Sequence, residues 1–266
     1  MNSGSEVKEI VKEKYGQIAS EGANQDCGCG CGSSSKVIDY SIMKDDYANV
    51  NGYMPEADLS LGCGMPTSFA AIKDGDTVVD LGSGAGNDVF VARAITGEKG
   101  KVIGIDFTPE MIEKAKKNNQ KLGYTNVEFL QGEIEEMPLE ENSTDVVISN
   151  CVLNLVPDKK KAFTEIHRVL KPGGHFCVSD IVIRGELPRN LKKSAEMYAG
   201  CVAGAVQQDD YMRIIDESGF KNIEVKKTKT ISIPDKILEN YLDPAAIKEF
   251  NESNIGIFSI TVYAEK

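Results

Sequence analysis

A chain of 266 residues, 41% hydrophobic and 27% charged, is long enough for one large α/β domain or a domain with a small appendage. Its net charge of -11 argues against nucleic acid and against an anionic membrane surface, both of which need clustered Lys and Arg, and favours a neutral or cationic ligand. Two histidines beside seven cysteines leave little support for imidazole base catalysis and make sulfur the chemistry to explain.

Residues 1–20 are charged and lack the apolar core of a signal peptide, and no stretch approaches the roughly 20 apolar residues of a membrane span. The reading is a cytoplasmic protein with reduced thiols, and an odd cysteine count speaks against a complete disulfide framework. In chain order, residues 1–22 place Val7, Ile10, Val11, Lys14, Tyr15 and Ile18 near helical spacing. Residues 22–35 are rich in Gly, Ser and Cys and read as a loop; residues 36–72 read as helical pieces broken by glycines and prolines. A regular alternation follows. Strands are predicted at 77–81, 102–106, 127–131, 145–149 and 176–182, with helices at 88–94, 109–122 and 159–170. Such alternation predicts a parallel sheet with helices on both faces. Residues 186–206 interrupt it as a helical insert. A helix at 209–218 closed by Gly219, a strand at 222–227, helix over 235–250 restarted at Pro244, and a strand at 257–264 complete the pattern, the last pair adding an antiparallel edge.

The run Asp80-Leu81-Gly82-Ser83-Gly84-Ala85-Gly86 leaves a strand and opens a helix, where glycines permit a sharp turn and close approach to a ligand. Asp106 ends the next strand, placed to accept hydrogen bonds from two ribose hydroxyls. The spacing is G-x-G-x-G, not the G-x-G-x-x-G of dinucleotide folds, which disfavours a nicotinamide oxidoreductase. Arg168-Val169-Leu170-Lys171-Pro172-Gly173-Gly174 reads as a structural helix end and turn, and His167 and His175 as surface or packing residues.

These segments, with Gly104-Ile105-Asp106 and Gly132-Glu133-Ile134-Glu135-Glu136-Met137-Pro138, resemble the class I S-adenosylmethionine-dependent methyltransferases over roughly residues 68–266. The resemblance implies a Rossmann-like fold with a seven-stranded, mostly parallel sheet, an N-terminal helical and Cys-rich extension over 1–67, and the insert after the fifth strand. It implies cofactor contacts from Asp80, Gly82, Ser83, Gly84 and Gly86 of the loop, and from Asp106, Phe107 and Met111 around the ribose strand. Glu133 and Ile134 fall near the adenine, and Asn150 faces the methionine end. Tyr40 is a further candidate, its ring face against the sulfonium, with ordinary packing as the alternative.

The thiols fall into groups. Cys177 lies mid-strand and reads as a buried small hydrophobe. Cys151 follows Asn150 at the rim of the expected cleft, Cys63 sits in a glycine- and proline-shaped loop, and Cys201 in the helical insert; each taken singly is as well read as an inert buried thiol. Together the segments Ser60-Leu61-Gly62-Cys63-Gly64, Ser149-Asn150-Cys151-Val152-Leu153-Asn154-Leu155 and Ala199-Gly200-Cys201-Val202-Ala203-Gly204-Ala205 resemble the arsenite methyltransferases. That resemblance implies Cys63, Cys151 and Cys201 as thiolate ligands of trivalent arsenic, S-adenosylmethionine as methyl donor, free or thiol-bound arsenite as substrate, and thioredoxin or glutathione as reductant. The chemistry is consistent: trivalent arsenic is soft, prefers sulfur, and keeps a lone pair that three thiolates can aim. Cys27, Cys29 and Cys31 remain open between half a zinc site, a metalloid-scavenging tail, and thiols that exchange with the active-site cysteines. A small-molecule C- or O-methyltransferase, or a metalloid- or zinc-binding protein on a methyltransferase scaffold, are the alternatives.

Overall fold

The computed structural model describes residues 4–21, 46–186, 204–231, 238–239, 242–252 and 256–266. The first helix, α1 (Gly4–Glu21), precedes a central sheet. Strands β1 (Thr77–Leu81), β2 (Lys101–Asp106), β3 (Val127–Gln131), β4 (Thr144–Asn150) and β5 (Leu170–Arg184) run parallel in the order β3-β2-β1-β4-β5. Parallel neighbours need crossover connections, supplied by α2 (Asn87–Thr96), α3 (Pro109–Leu122) and α4 (Lys159–Val169). Beyond β5 come α5 (Gln208–Glu217), β7 (Lys221–Thr230), α6 (Pro244–Glu252) and β8 (Gly256–Glu265), with β8 antiparallel between β5 and β7.

Local chemistry explains most boundaries. Pro109 opens α3 at its first turn, where a missing N–H costs nothing, and Gly123 ends it at φ 69°. The Asp158 carboxylate caps α4 by accepting the Lys161 N–H at 2.9 Å. Alternate residues of β1 serve opposite faces of the sheet. Val79 and Leu81 pack with Ile103, Ile105, Phe163, Ile166 and Tyr211 on one side, and Val78 packs with Val89, Phe90, Met111 and Ala115 on the other. Helices therefore cover both faces.

Several expectations change. Among the described residues the expected seven strands are joined by a short eighth, β6 (Val206–Gln207), which pairs with the far end of β5. Val206 ends the expected helical insert 186–206, and residues 187–203 of that insert lie outside the described set. β5 begins six residues before the expected 176, since Leu170 already pairs with Thr144. α4 stops at Val169, two residues short of Lys171, which Pro172 biases away from helix. Of the helical pieces expected over 36–72, the described part contains only the single turns Pro55–Ala57 and Pro66–Ser68. Met54, Ala57, Leu59 and Ala70 share an apolar cluster with Val78 and Val102, so the core runs without a break across residue 67.

Candidate active site

The carboxyl ends of β1, β2 and β4 open into a cavity of about 1250 Å³, including its mouth. This is where ligands bind in doubly wound sheets. Its floor is the turn after β1. Gly82, Gly84 and Gly86 all have positive φ (68°, 51° and 99°), a region that favours glycine. The Gly82 and Ser83 N–H groups donate to Ile105 O at 2.8 and 3.0 Å, tying the turn to β2. A side chain at Gly84 would meet only Met111 Sδ, at 3.9 Å, so the space above that residue is open. Gly86 differs: a Cβ there would lie 2.9 Å from the Phe90 ring and 3.0 Å from Phe129. Gly86 does not line the cavity; it lets α2 start against the aromatic core.

Four buried carboxyls face this space, Glu135 beside Lys8 and three near the glycine turn. Asp106 accepts the Gly84 N–H at 3.0 Å and the Thr108 N–H at 2.8 Å. Burial raises its pKa and those donors oppose the rise. Burial raises Asp80 well above the carboxylate range, with the charges of Asp88 and Asp106 adding to it. Burial pushes Asp88 up to about 6 against hydrogen bonds from Asn150 and Tyr47. Clustered buried acids favour a cation, which would stabilise their ionised forms.

The thiol end adjoins the turn after β4. Cys151 has φ 62°, a left-handed conformation that is strained for a non-glycine residue, and its N–H donates to Ser179 O at 2.7 Å. Its thiol is buried and lines the cavity. Cys63 is fully buried and does not line the cavity; its N–H donates to Asn150 Oδ1 at 3.0 Å, and its carbonyl accepts the Ser259 hydroxyl at 2.6 Å. Burial, then Asp180, then both thiols raise the pKa of the Tyr211 phenol, whose hydroxyl donates to Asp180 at 3.2 Å. Cys177 is buried in the sheet and pushed up to about 12, an inert thiol. His175 Nε2 donates to Ala70 O (2.6 Å), and His167 packs on Phe220, so both histidines are structural.

Of the sequence-derived candidates, Asp80, Gly82, Ser83, Gly84, Asp106, Phe107, Met111, Glu133, Ile134, Asn150 and Cys151 converge on one cavity. Cys201, Tyr40, Cys27, Cys29 and Cys31 lie outside the described residues. Other wall residues carried no local signal. Lys8 of α1 reaches Glu133 and Glu135, each at 2.6 Å; burial opposes its charge, but the two carboxylates prevail and raise its pKa. Tyr47 and Asp88 stand behind Asn150. Arg168 pairs with Glu165 at 2.7 Å and donates to Leu139 O at 2.8 Å, holding the segment that follows Ile134.

A doubly wound sheet of this order, with an acid-lined cavity over a glycine turn, defines a class I methyltransferase fold. The sequence matches the methyltransferase-domain family over residues 72–219, and the chain belongs to that family. Similar relatives include arsenite methyltransferases. That of Halobacterium salinarum is 42% identical over 91% of this chain and 66% of its own length; the human one is 32% identical over 95% and 69%. The crystal structure of the arsenic(III) S-adenosylmethionine methyltransferase of Chlamydomonas reinhardtii superposes with a TM-score of 0.65 at 37% identity, over 77% of this chain and 67% of that one. The chain thus spans about two thirds of the length of these relatives.

The fold family implies S-adenosylmethionine as cofactor, and the residues present fit it. Ser83 Oγ and Asn87 Oδ1 are buried at the cavity with no hydrogen-bond partner among the described residues. Such atoms call for a polar ligand. The open space above Gly84 and the three carboxyls suit a molecule carrying a sulfonium and an ammonium.

Proposed function

We propose that this chain transfers a methyl group from S-adenosylmethionine to trivalent arsenic held by the thiolates of Cys63, Cys151 and Cys201. The observation that carries this reading is the buried Cys151 in the cavity wall next to Asn150, with the buried Cys63 held by its backbone N–H to the same Asn150 side chain. When bound, S-adenosylmethionine supplies an electrophilic methyl on sulfur. The glycine turn and Asp80 would hold its amino-acid part, Asp106 its ribose, and Glu133, Ile134, Phe107 and Met111 the adenine end. Val11 and Tyr15 of α1, with Leu155 and Val156 opposite, keep water from the cavity.

The thiolates orient the arsenic lone pair, so positioning supplies most of the rate and no protein base is needed. Arsenic that bonds carbon with its lone pair is two electrons short of the trivalent state. Oxidation of two thiols to a disulfide returns them, and thioredoxin or glutathione then restores the dithiol. Cys27, Cys29 and Cys31 are the candidates for the exchanging thiol. The test is incubation of the parent, Cys63→Ser and Cys151→Ser with arsenite, cofactor and a thiol reductant, reading products by chromatography with arsenic detection. Loss of methylarsenicals with cofactor binding retained is expected. Parent rates in both variants overturn the reading and return the protein to small-molecule C- or O-methylation.

A further inference from the structure

We infer that Asn150, braced by Asp88 and Tyr47, is a positioning residue that sets where the Cys63 thiol stands relative to Cys151. The inference rests on the arsenic-binding reading and deepens it. Asn150 Oδ1 accepts the N–H groups of Cys63 (3.0 Å) and Gly64 (3.2 Å). The two protons of its Nδ2 are shared among three acceptors, Gly64 O (2.9 Å), Asp88 Oδ2 (3.0 Å) and the Tyr47 hydroxyl (3.0 Å). Both lone pairs and both protons of the amide are therefore used within the protein. The side chain has little left for a cofactor, which is the role the sequence resemblance implied for it.

A primary amide of this reach can accept from these two backbone N–H groups and donate to the Gly64 carbonyl that follows them. The loop is built to receive it. A Cβ at Gly62 would lie 2.6 Å from Asn150 Nδ2, and one at Gly64 2.5 Å from Ser179 Oγ. From the other side, the Ser259 hydroxyl holds the Cys63 carbonyl, and Ser179 O holds the Cys151 N–H. Asp88 lies in the first turn of α2, where the helix dipole favours its charge, and accepts the Tyr47 hydroxyl at 2.7 Å. Tyr47 also reaches Gly64 O at 3.1 Å. Both cysteine backbones are thus tied to Asn150 at the end of β4 and to Ser179 and Ser259 within β5 and β8. The separation of the two thiols is set before any ligand arrives.

The test compares the full-length parent with Asn150→Ala, Asn150→Asp and Tyr47→Phe, and with Cys63→Ser as benchmark. Arsenite affinity is read by equilibrium dialysis, S-adenosylhomocysteine affinity by calorimetry, and alkylation of Cys63 and Cys177 by iodoacetamide with peptide mass spectrometry. Protection of Cys177 reports the intact sheet. Asn150→Ala and Asn150→Asp are expected to weaken arsenite about tenfold and speed Cys63 alkylation by a similar factor. S-adenosylhomocysteine affinity should change less than about threefold and Cys177 stay protected. Tyr47→Phe, which removes one hydroxyl, should give the same pattern at about two- to fivefold. Unchanged Cys63 alkylation and arsenite affinity, or a parallel loss of both ligands, overturns the inference. If the parent and Cys63→Ser bind arsenite alike, the arsenic reading fails, while the alkylation rates still decide whether Asn150 holds the loop.

Discussion

The turns after β1 and β4 stand side by side, their strands paired through Leu81 and Ser149, yet they are built from opposite materials. The β1 turn uses three glycines in the left-handed region and offers a ligand bare backbone. The β4 turn puts Cys151 at φ 62° and carries a side-chain amide in front of it. The difference follows from what each must present. A backbone surface is made by removing side chains, whereas the proposed sulfur ligand keeps its side chain even where its backbone is strained. Ser179, Asn150 and Ser259 hold the strained turn and its partner loop in place.

The largest effect that sharpens this contrast is at the thiols. Cys151→Ser is expected to lower arsenite methylation by about 100-fold or more while S-adenosylhomocysteine affinity stays within about threefold, checked by product analysis and calorimetry. Within the β1 turn the glycines should separate. Gly86→Ala drives a Cβ into Phe90 and Phe129 at φ 99° and should cost about 2–4 kcal/mol in denaturant unfolding. Gly84→Ala meets open cavity, so it should cost the fold about 1 kcal/mol but weaken cofactor binding about tenfold or more. Equal damage to the fold from both would break the distinction between a structural and a ligand-facing glycine.

Asp106→Asn should weaken S-adenosylhomocysteine by about tenfold, since an amide cannot accept from ligand, Gly84 and Thr108 at once. A further effect is a slope of stability with pH. Asp88 moves from 3.8 to about 6 on folding, with Asp80 and Asp58, the Tyr47 hydroxyl and the Asn150 amide as its titratable or polar neighbours. The folded protein holds this proton more tightly than the unfolded chain. Stability from this group is therefore present below about pH 4 and lost as pH rises through about 6, by at most on the order of 3 kcal/mol. Urea unfolding at about pH 4.5 and about pH 7 should show that slope in the parent and a flatter one in Asp88→Asn.

Much of the parallel sheet was legible because its signals are local. Val78-Val79 and Val146-Val147-Ile148 are short apolar runs buried on both faces, and Pro109 and Gly123 punctuate α3. The early start of β5 was not legible: Lys171 to Gly174 look like a turn, and only pairing of Leu170 with Thr144 and of the strand with β8 makes them part of the sheet. β6 is two residues long and exists only through β5. Among site residues, the glycine turn and Asp106 could be found because strand, loop, helix and acid follow in order. The roles of Lys8 and Asn150 could not, because Lys8 meets Glu133 across 125 positions and Asn150 meets Tyr47 across 103.

By itself the sequence determined the alternation of strands and helices, the ligand-facing turn, and which sulfurs deserved notice, because hydrophobic period, glycine and cysteine act where they stand. The tertiary structure alone decided that Gly86 serves the aromatic core, that Lys8 closes on the acids after β3, and that the Asn150 amide is used up in holding the Cys63 loop. Those outcomes depend on which donors and acceptors meet across the closed sheet, and hydrogen bonds of about 3 Å are chosen by the three-dimensional register of strands, not by order along the chain.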